Sequence, residues 1–413
     1  MTEIGLNFKH KHFKSGFLIV LFFIIAAQLC VFIESVPKLE YIYTAFLFFS
    51  LVFWGNFKPM KKGLVYAMSV FMILVLGTCF SLLYGLEGNL LLAFPVAINC
   101  LLYMSIACNA SIYLDKDNVI SLFKIFTYIG VIACIYNLIV NRSDILGLNV
   151  GINEYMANFC SYYSGRNTFA NFLLMFVVSA SYLYSVTRKK VYIAYIFLML
   201  INLFFTFSRT SIISVLLFLA LFLILDSGRK LKRIIPVLTI ITLLVYLGYG
   251  LFMQNFDIID HFLIREGSGE QTRLSLWSIT GDYFLKSPFF GYGAGSATFI
   301  LKEEESHVSE LVNSFHNTYI EIAMWGGIAL IIVYSKVYLK IYRSIKYLKK
   351  KDTCFYNVYI PFLIAILAFS FSETFMFFAM GVRPHTLTAL LMVVPLLYSH
   401  ESNSNSVYKS SYE

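Results

Sequence analysis

The residues best suited to chemistry lie in short polar segments between long hydrophobic stretches. Residues 206–211 read TFSRTS and place Arg209 between two apolar runs with almost no loop between them. The guanidinium fork and the flanking hydroxyls suit phosphate oxygens, and the start of the following helix adds free N–H groups. Residues 314–321 read SFHNTYIE and bring His316 beside Asn317 at the start of another apolar run. We expect Arg209 to bind an anion, and His316 to act as a base or to position an acceptor.

Four further charged residues near predicted span ends extend this set. Glu321 falls one turn below Asn317 on the same helical face, and we assign both residues to substrate binding. Arg166 stands at the mouth of a span, where a guanidinium either snorkels to the headgroups or lines an anion-binding cavity. Arg383 lies in the last outer loop and is a further candidate for substrate binding. Glu373, within the preceding predicted span, is either a functional carboxylate or a structural partner of Arg383.

One polar segment, Gln254 to Asn317, is far longer than the other connections. Its aromatic, Gly and Pro content argues against disorder, so a functional loop is expected. Arg273 opens an amphipathic helical pattern that continues to Phe284 and should stop at Ser287-Pro288. Three glycines between residues 291 and 295 then allow a tight turn. We predict a half-buried helix lying on a membrane face, with Arg273 able to point inward.

The composition predicts a polytopic helical membrane protein. The chain of 413 residues is 59% hydrophobic and only 13% charged, with a mean hydropathy of +0.74. A helix needs about 20 apolar residues to cross the bilayer core. On this basis twelve spans are predicted at residues 16–34, 39–55, 63–83, 90–108, 120–140, 168–187, 191–207, 209–225, 234–253, 318–338, 356–378 and 384–398.

The distribution of basic residues predicts the orientation of these spans. With a cytoplasmic N-terminus, the inner segments hold 22 Lys and Arg and the outer segments hold 9. This bias favours cytoplasmic N and C termini. The chain is then a single membrane domain over residues 1–413, and residues 254–317 form an extracytoplasmic active-site loop within it. The net charge of +9 reflects this bias and does not indicate nucleic-acid binding.

A DxD triplet, Asp115-Lys116-Asp117, allows two interpretations. Such a triplet can hold a divalent metal in nucleotide-sugar transferases. It lies here in a short predicted inner loop without a surrounding βαβ domain, so a helix-capping turn is favoured over a metal site.

Three segments in the second half of the chain resemble a known family. FSRTSIISVLL, TRLSLW followed by SPFFGYGAGSATF, and HNTYIEIAMWGGIALI are similar to the O-antigen polymerase and O-antigen ligase family of bacterial surface-polysaccharide assembly. The resemblance covers roughly residues 160–340. It implies an all-helical membrane glycosyltransferase fold of GT-C-like architecture. It also implies that Arg209, Arg273 and His316 line an outward-facing cavity, with Arg273 and His316 as the candidate catalytic residues.

The same resemblance implies the substrates and the chemistry. The donor and acceptor are glycans linked to undecaprenyl pyrophosphate, and no metal or other cofactor is required. A lipid pyrophosphate is a good leaving group, so catalysis needs cations near the phosphates and a base for the acceptor hydroxyl. Arg209, Arg273 and Arg166 would supply the cations and His316 the base. A chain-length regulator and a flippase are candidate protein partners.

The preferred interpretation is a polymerase of lipid-linked repeat units for O-antigen or capsular polysaccharide. It would act by inverting, metal-independent glycosyl transfer in the bacterial inner or plasma membrane, with its active site facing the periplasm or the cell exterior. An O-antigen ligase that transfers the glycan to lipid A-core is the first alternative. A twelve-span flippase or transporter is the second, although no inverted repeat is visible.

Overall fold

A computed structural model describes residues 20–21, 61–109, 112–143, 159–206, 208–226, 270–303, 314–379 and 382–400. Within these ranges the regular secondary structure is helical, without strands. Six of the described helices are long and apolar enough to cross a membrane. The prediction of an all-helical protein with multiple hydrophobic spans is therefore confirmed for this part of the chain. The full count of twelve spans, the cytoplasmic termini and the GT-C-like architecture stay predictions.

The helices are numbered here in chain order over the described residues. They are α1 (Lys61–Leu83), α2 (Ala93–Cys108), α3 (Lys116–Val140), α4 (Arg166–Thr187), α5 (Val191–Phe205), α6 (Arg209–Asp226), α7 (Glu270–Lys286), α8 (Ser296–Glu303), α9 (Thr318–Leu348), α10 (Thr353–Phe369) and α11 (Val382–Leu387). A 3₁₀ turn at Leu90–Leu92 precedes α2, and a π-helical segment at Thr388–Val393 continues α11. Predicted spans 39–55 and 234–253, and span 16–34 except helical Val20 and Leu21, lie outside the described residues.

Contacts between helix ends show that α4 and α6 run in one direction and that α3 and α10 run in the opposite direction. At one end, Arg188 after α4 bonds to Asp226 at the end of α6. At the same end, Lys116 at the start of α3 lies 3.7 Å from a carboxylate oxygen of Asp352, just before α10. These residues are the ones that the Lys/Arg bias predicts to be cytoplasmic. The candidate site residues gather at the opposite end.

Helix α4 is the centre of the bundle. It packs against α3, α5, α6 and α10. In its most apolar 18-residue segment, 89% of the residues are buried, so nearly every face of the helix contacts protein. A helix that is apolar on all sides is expected at such a position. Aromatic contacts fill the interface with α3, where the rings of Phe126 and Phe176 lie 4.7 Å apart. Arg166, the first residue of α4, is thereby fixed to the most enclosed of the six described spans.

The predicted span 356–378 is wrong at its C-terminal end. Helix α10 stops at Phe369, and residues 370–379 form turns and irregular backbone. The backbone groups released there find partners on α9: the carbonyls of Ser370 and Glu373 accept hydrogen bonds from Thr318 at 2.8 Å each. Residues 370–374 read SFSET, but the apolar run FMFFA follows at 375–379, so the average hydropathy of the segment did not reveal the end of the helix. Glu373 therefore lies in a loop and not within a helical span.

Helix α9 is broken at Gly326-Gly327, where the backbone leaves helical geometry. The carbonyls of Met324 and Trp325 lose their helical partners at this break. They accept hydrogen bonds instead from the N–H groups of Tyr292 and Gly293, at 2.7 and 2.9 Å. The glycine-rich turn after α7 is thus inserted into the break of α9. This interlock fixes the long polar loop to the transmembrane bundle.

Close backbone packing explains why glycine is needed at the interlock. Gly327 has a φ of +56°, and a Cβ there would lie 2.5 Å from the carbonyl oxygen of Pro288. Gly77 of α1 approaches the turn from the other side, where a Cβ would lie 2.5 Å from the carbonyl oxygen of Phe290. Three segments distant in sequence therefore meet backbone to backbone. The tight turn predicted after α7 is therefore the place where α1, the turn itself and α9 meet.

Candidate active site

Three helices begin at the same end of the bundle, and each start carries a predicted site residue. Arg166 is the first residue of α4 and Arg209 is the first residue of α6. Helix α9 begins directly after His316 and Asn317. Helix N-termini present free N–H groups and the positive end of the helix dipole. The fold therefore brings Arg166, Arg209 and His316 to one end of the described bundle.

A chain of side-chain hydrogen bonds joins these helix starts. The hydroxyl of Ser211 in α6 donates to the amide oxygen of Asn171 in α4, at 3.0 Å. The hydroxyls of Thr210 and Ser372 lie 3.2 Å apart, which ties the TFSRTS segment to the loop after α10. Two of these residues, Asn171 and Ser211, are buried. Because such bonds are worth more where water is excluded, they restrain the two arginine-bearing helix starts relative to each other.

Thr318 joins the same loop to the start of α9. Its hydroxyl donates to the carbonyl of Glu373 and accepts from the N–H of Phe375, both at 2.8 Å. Its own N–H donates to the carbonyl of Ser370 at 2.8 Å. One buried threonine thus makes three hydrogen bonds to residues 370–375. The loop after α10 therefore contacts the starts of both α6 and α9.

This junction sets the surroundings of His316. The Nδ1 atom of His316 lies 3.9 Å from a carboxylate oxygen of Glu373. The His316 side chain is 36% exposed, whereas that of Glu373 is 9% exposed. The imidazole is therefore accessible on one side while a nearly buried carboxylate lies on the other. The structure thus places a histidine that a substrate could reach beside a carboxylate that is largely shielded from solvent.

Arg383 is the second charged group near Glu373. It lies in α11 and is half-buried. Burial lowers the pKa of the Arg383 guanidinium below its ordinary value, and the negative charge of Glu373 acts in the opposite direction. The Glu373 carboxylate therefore lies beside His316, and its charge also acts on the Arg383 guanidinium. The run of polar residues from Ser370 to Thr374 is the sequence signal for this loop.

Helix α7 carries Arg273 and is attached to the His316 segment. The helix extends over Glu270–Lys286 and ends at Ser287-Pro288, where the sequence predicts its end. The indole N–H of Trp277 donates to the carbonyl of Phe315 at 3.0 Å, next to His316. Arg273 lies one turn before Trp277 on the same side of the helix. The side chain of Arg273 lies outside the described part of the structure.

Asn317 and Glu321, predicted to bind substrate, make internal hydrogen bonds. The amide oxygen of Asn317 caps α9 by accepting from the N–H groups of Tyr319 and Ile320, at 2.9 and 3.1 Å. The carboxylate oxygens of Glu321 accept from the N–H of Phe315 and from an indole N–H, both at 3.1 Å. Both side chains are nearly inaccessible. Asn317 and Glu321 therefore stabilise the start of α9 and the segment before it.

The DxD triplet forms a cap, as the favoured interpretation predicts. Asp115 accepts a hydrogen bond from the N–H of Asn118 at 2.6 Å and begins α3. Among the described residues, no group of three His, Cys, Asp or Glu side chains is arranged to hold a metal ion.

Comparison with known families gives a match over the part of the chain that includes Arg209, Arg273 and His316. Residues 194–335 match a family model described as O-antigen ligase. This similarity covers 142 of the 413 residues. A comparison with curated proteins found no match.

The boundaries of the matched region divide the candidate site. The region contains Arg209, Arg273 and His316, and it extends past the break in α9. Arg166, Glu373 and Arg383 lie outside it but are brought to the same end of the bundle by α4, the loop after α10 and α11. The match supports a glycosyltransferase-like membrane enzyme of the O-antigen polymerase and ligase type.

Proposed function

We propose that this protein polymerises oligosaccharide repeat units linked to undecaprenyl pyrophosphate. The single observation that carries the proposal is the hydrogen-bond chain that gathers the starts of α4, α6 and α9 around the loop after α10. Arg166, Arg209 and the three helix N-termini then lie at the same end of the bundle as a partly exposed histidine and a nearly buried carboxylate. An anionic donor and a nucleophilic acceptor hydroxyl are the two substrates that such an arrangement serves.

The cationic part of the site would hold the donor pyrophosphate. Arg166 and Arg209 each begin a helix, so guanidinium and backbone N–H groups come from the same position. Arginine can bind phosphate oxygens through two parallel hydrogen bonds. Arg273 would add a third guanidinium from α7. As the bond between the anomeric carbon and the phosphate oxygen breaks, negative charge builds on the pyrophosphate and these cations stabilise it.

The imidazole of His316 would accept the proton of the acceptor hydroxyl. The acceptor oxygen attacks the anomeric carbon, its proton passes to His316, and the lipid pyrophosphate leaves with the electron pair of the broken bond. Glu373 would stabilise the resulting imidazolium, and Arg383 would hold Glu373 in place. This single displacement inverts the anomeric configuration. Trapping of a covalent glycosyl-enzyme would contradict it.

A ligase is the second candidate, because the matched family model is described as O-antigen ligase. The two functions share the donor and the proton transfer, and they differ in the acceptor. A polymerase uses a second lipid-linked repeat unit, whereas a ligase uses lipid A-core.

The experiment that tests the proposal uses purified protein with a lipid-pyrophosphate-linked repeat unit as the only substrate, in the presence of a chelator. The wild type should produce a ladder of products, and Arg273→Ala and His316→Ala should each lose it while remaining folded. The matched control is Arg188→Ala, which removes a guanidinium paired with Asp226 at the other end of the bundle. A parallel reaction includes lipid A-core. Single transfer to lipid A-core without a ladder would replace the polymerase by the ligase.

A further inference from the structure

Phe315, the residue before His316, has both of its backbone polar groups held by side chains. Its N–H donates to a carboxylate oxygen of Glu321 at 3.1 Å. Its carbonyl accepts from the indole N–H of Trp277 at 3.0 Å. The Phe315 ring is fully buried in a small apolar cluster that includes Tyr283. The backbone on the N-terminal side of His316 is therefore held by α7, by α9 and by its own buried ring.

The C-terminal side of His316 is held as well. Asn317 caps α9 with its side chain, and Thr318 binds the loop that contains Glu373. Between these two fixed points His316 adopts a φ of +50°. A left-handed conformation is unfavourable for a residue with a Cβ, so the surrounding bonds must maintain it. The direction of the imidazole depends on this backbone conformation.

A second hydrogen bond orients the Glu321 carboxylate that binds Phe315. Its second carboxylate oxygen accepts from the indole N–H of Trp325 at 3.1 Å. The residue is only 3% exposed, so both oxygens serve internal bonds and little of the carboxylate is accessible to a substrate. This geometry does not fit the binding role that the helical spacing predicts for Glu321.

We propose that Glu321 and Trp277 are positioning residues that fix His316 in its left-handed backbone conformation beside Glu373. Trp277 has a second effect, because it attaches the helix that carries Arg273 to the residue preceding His316. The inference rests on the proposed function of His316 as the base. It changes Glu321 from a substrate ligand to a residue that acts through His316, and it adds Trp277, a residue of the TRLSLW segment, to the site.

The kinetic test uses Trp277→Phe and Glu321→Met. Trp277→Phe keeps an aromatic ring and removes the donor to Phe315, while Glu321→Met keeps the side-chain length and removes both acceptors. Misplacement of a reacting group by about 1 Å can lower a rate about 100-fold. We therefore expect kcat to fall by about 10- to 100-fold in each variant, with the donor KM within about twofold of the wild type. A substrate ligand would instead change KM.

Matched controls at other places in the fold separate positioning from stability. Tyr359→Phe removes one buried side-chain donor to a carbonyl, that of Leu390. Asp352→Leu removes a buried carboxylate that caps α10 and binds two tyrosines beyond the far end of α9. Both controls should keep the wild-type kcat per folded molecule, and Asp352→Leu should melt earlier. Equal kcat losses in the controls and the test variants, or wild-type kcat in Trp277→Phe, would overturn the inference.

A second measurement does not depend on the reaction. Amide hydrogen exchange of the peptide containing residues 314–321 is followed in the substrate-free protein, because both bonds to Phe315 protect this segment. Trp277→Phe and Glu321→Met should each speed its exchange by about tenfold relative to the two controls, as expected for local opening. Unchanged exchange would overturn the inference even if the polymerase assay succeeds. Faster exchange in a protein that makes no ladder would contradict the proposed function and leave the two hydrogen bonds established.

Discussion

The Nδ1 atom of His316 lies 3.9 Å from a carboxylate oxygen of Glu373, although 56 residues separate them in the chain. The contact exists because Thr318 binds the loop that contains Glu373. It pairs an accessible imidazole with a nearly buried carboxylate. Five predictions follow from this arrangement and from the elements that maintain it.

Removal of the Glu373 charge should reduce activity. In Glu373→Gln the carboxylate that would stabilise a protonated His316 is lost, and we expect kcat to fall by about 10- to 100-fold. The measurement is the initial rate of polymer formation with saturating donor. The control is Glu87→Gln, since Glu87 forms an exposed pair with Lys302 at 3.5 Å and such pairs contribute little. A wild-type rate in Glu373→Gln would remove Glu373 from the mechanism.

Glu373 and Arg383 should be energetically coupled. Arg383→Gln leaves the carboxylate without one of its nearby positive charges and should lower thermal stability. The double variant Glu373→Gln/Arg383→Gln should be more stable than the sum of the single effects predicts, by about 0.5–3 kcal/mol. Thermal unfolding in detergent or nanodiscs measures the three free-energy changes. Additive effects would show that Arg383 does not depend on Glu373.

Arg209 should not be replaceable by lysine. Lys keeps the charge at the start of α6 but lacks the planar fork that binds phosphate oxygens through two bonds. We expect Arg209→Lys to raise the donor KM by about tenfold or more, corresponding to about 1.4 kcal/mol of lost binding. The control is Arg188→Lys, a fork that binds Asp226 at the other end of the bundle. Equal KM values in Arg209→Lys and the wild type would exclude bidentate binding by Arg209.

Thr318→Val should loosen the junction without changing its shape. Val is close to isosteric with Thr but cannot bind the carbonyl of Glu373 or the N–H of Phe375. Each buried group left unsatisfied costs about 1–3 kcal/mol, so both stability and activity should decrease. The control is Thr353→Val, whose hydroxyl makes one exposed bond to Lys349 within the same turn. Differential scanning fluorimetry and the polymer assay compare the two variants.

Two glycine substitutions should have opposite effects on stability. Gly327→Ala places a Cβ 2.5 Å from the carbonyl oxygen of Pro288 at a φ of +56°, so the folded yield should fall sharply. Gly281→Ala adds a Cβ in α7 with no atom of another described segment within 4 Å, and it should raise stability by about 0.4–1 kcal/mol. Size-exclusion profiles and melting temperatures measure both. A folded and stable Gly327→Ala protein would contradict the described interlock.

The local features of this fold could be predicted from the sequence alone. Apolar runs predict the helices from α1 to α6 to within a few residues, because helix length and hydrophobicity depend on neighbouring residues only. The cap at Asp115 and the end of α7 at Ser287-Pro288 follow from backbone chemistry of the same short range. The segments around Arg209, Arg273 and His316 stand out in the sequence because they are polar stretches between apolar runs, and the roles assigned to them stay predictions.

The tertiary structure decided what these residues contact. Helix α10 ends at Phe369, and Thr318, distant in sequence, binds the carbonyls of Ser370 and Glu373 in the loop that follows. Hydropathy contains no information about such a partner. The helical spacing of Asn317 and Glu321 suggests a substrate ligand at Glu321. In the structure its carboxylate instead accepts a hydrogen bond from the N–H of Phe315. Periodicity specifies which face of its own helix a side chain occupies. The group opposite that face depends on how the rest of the chain packs, which no local pattern records.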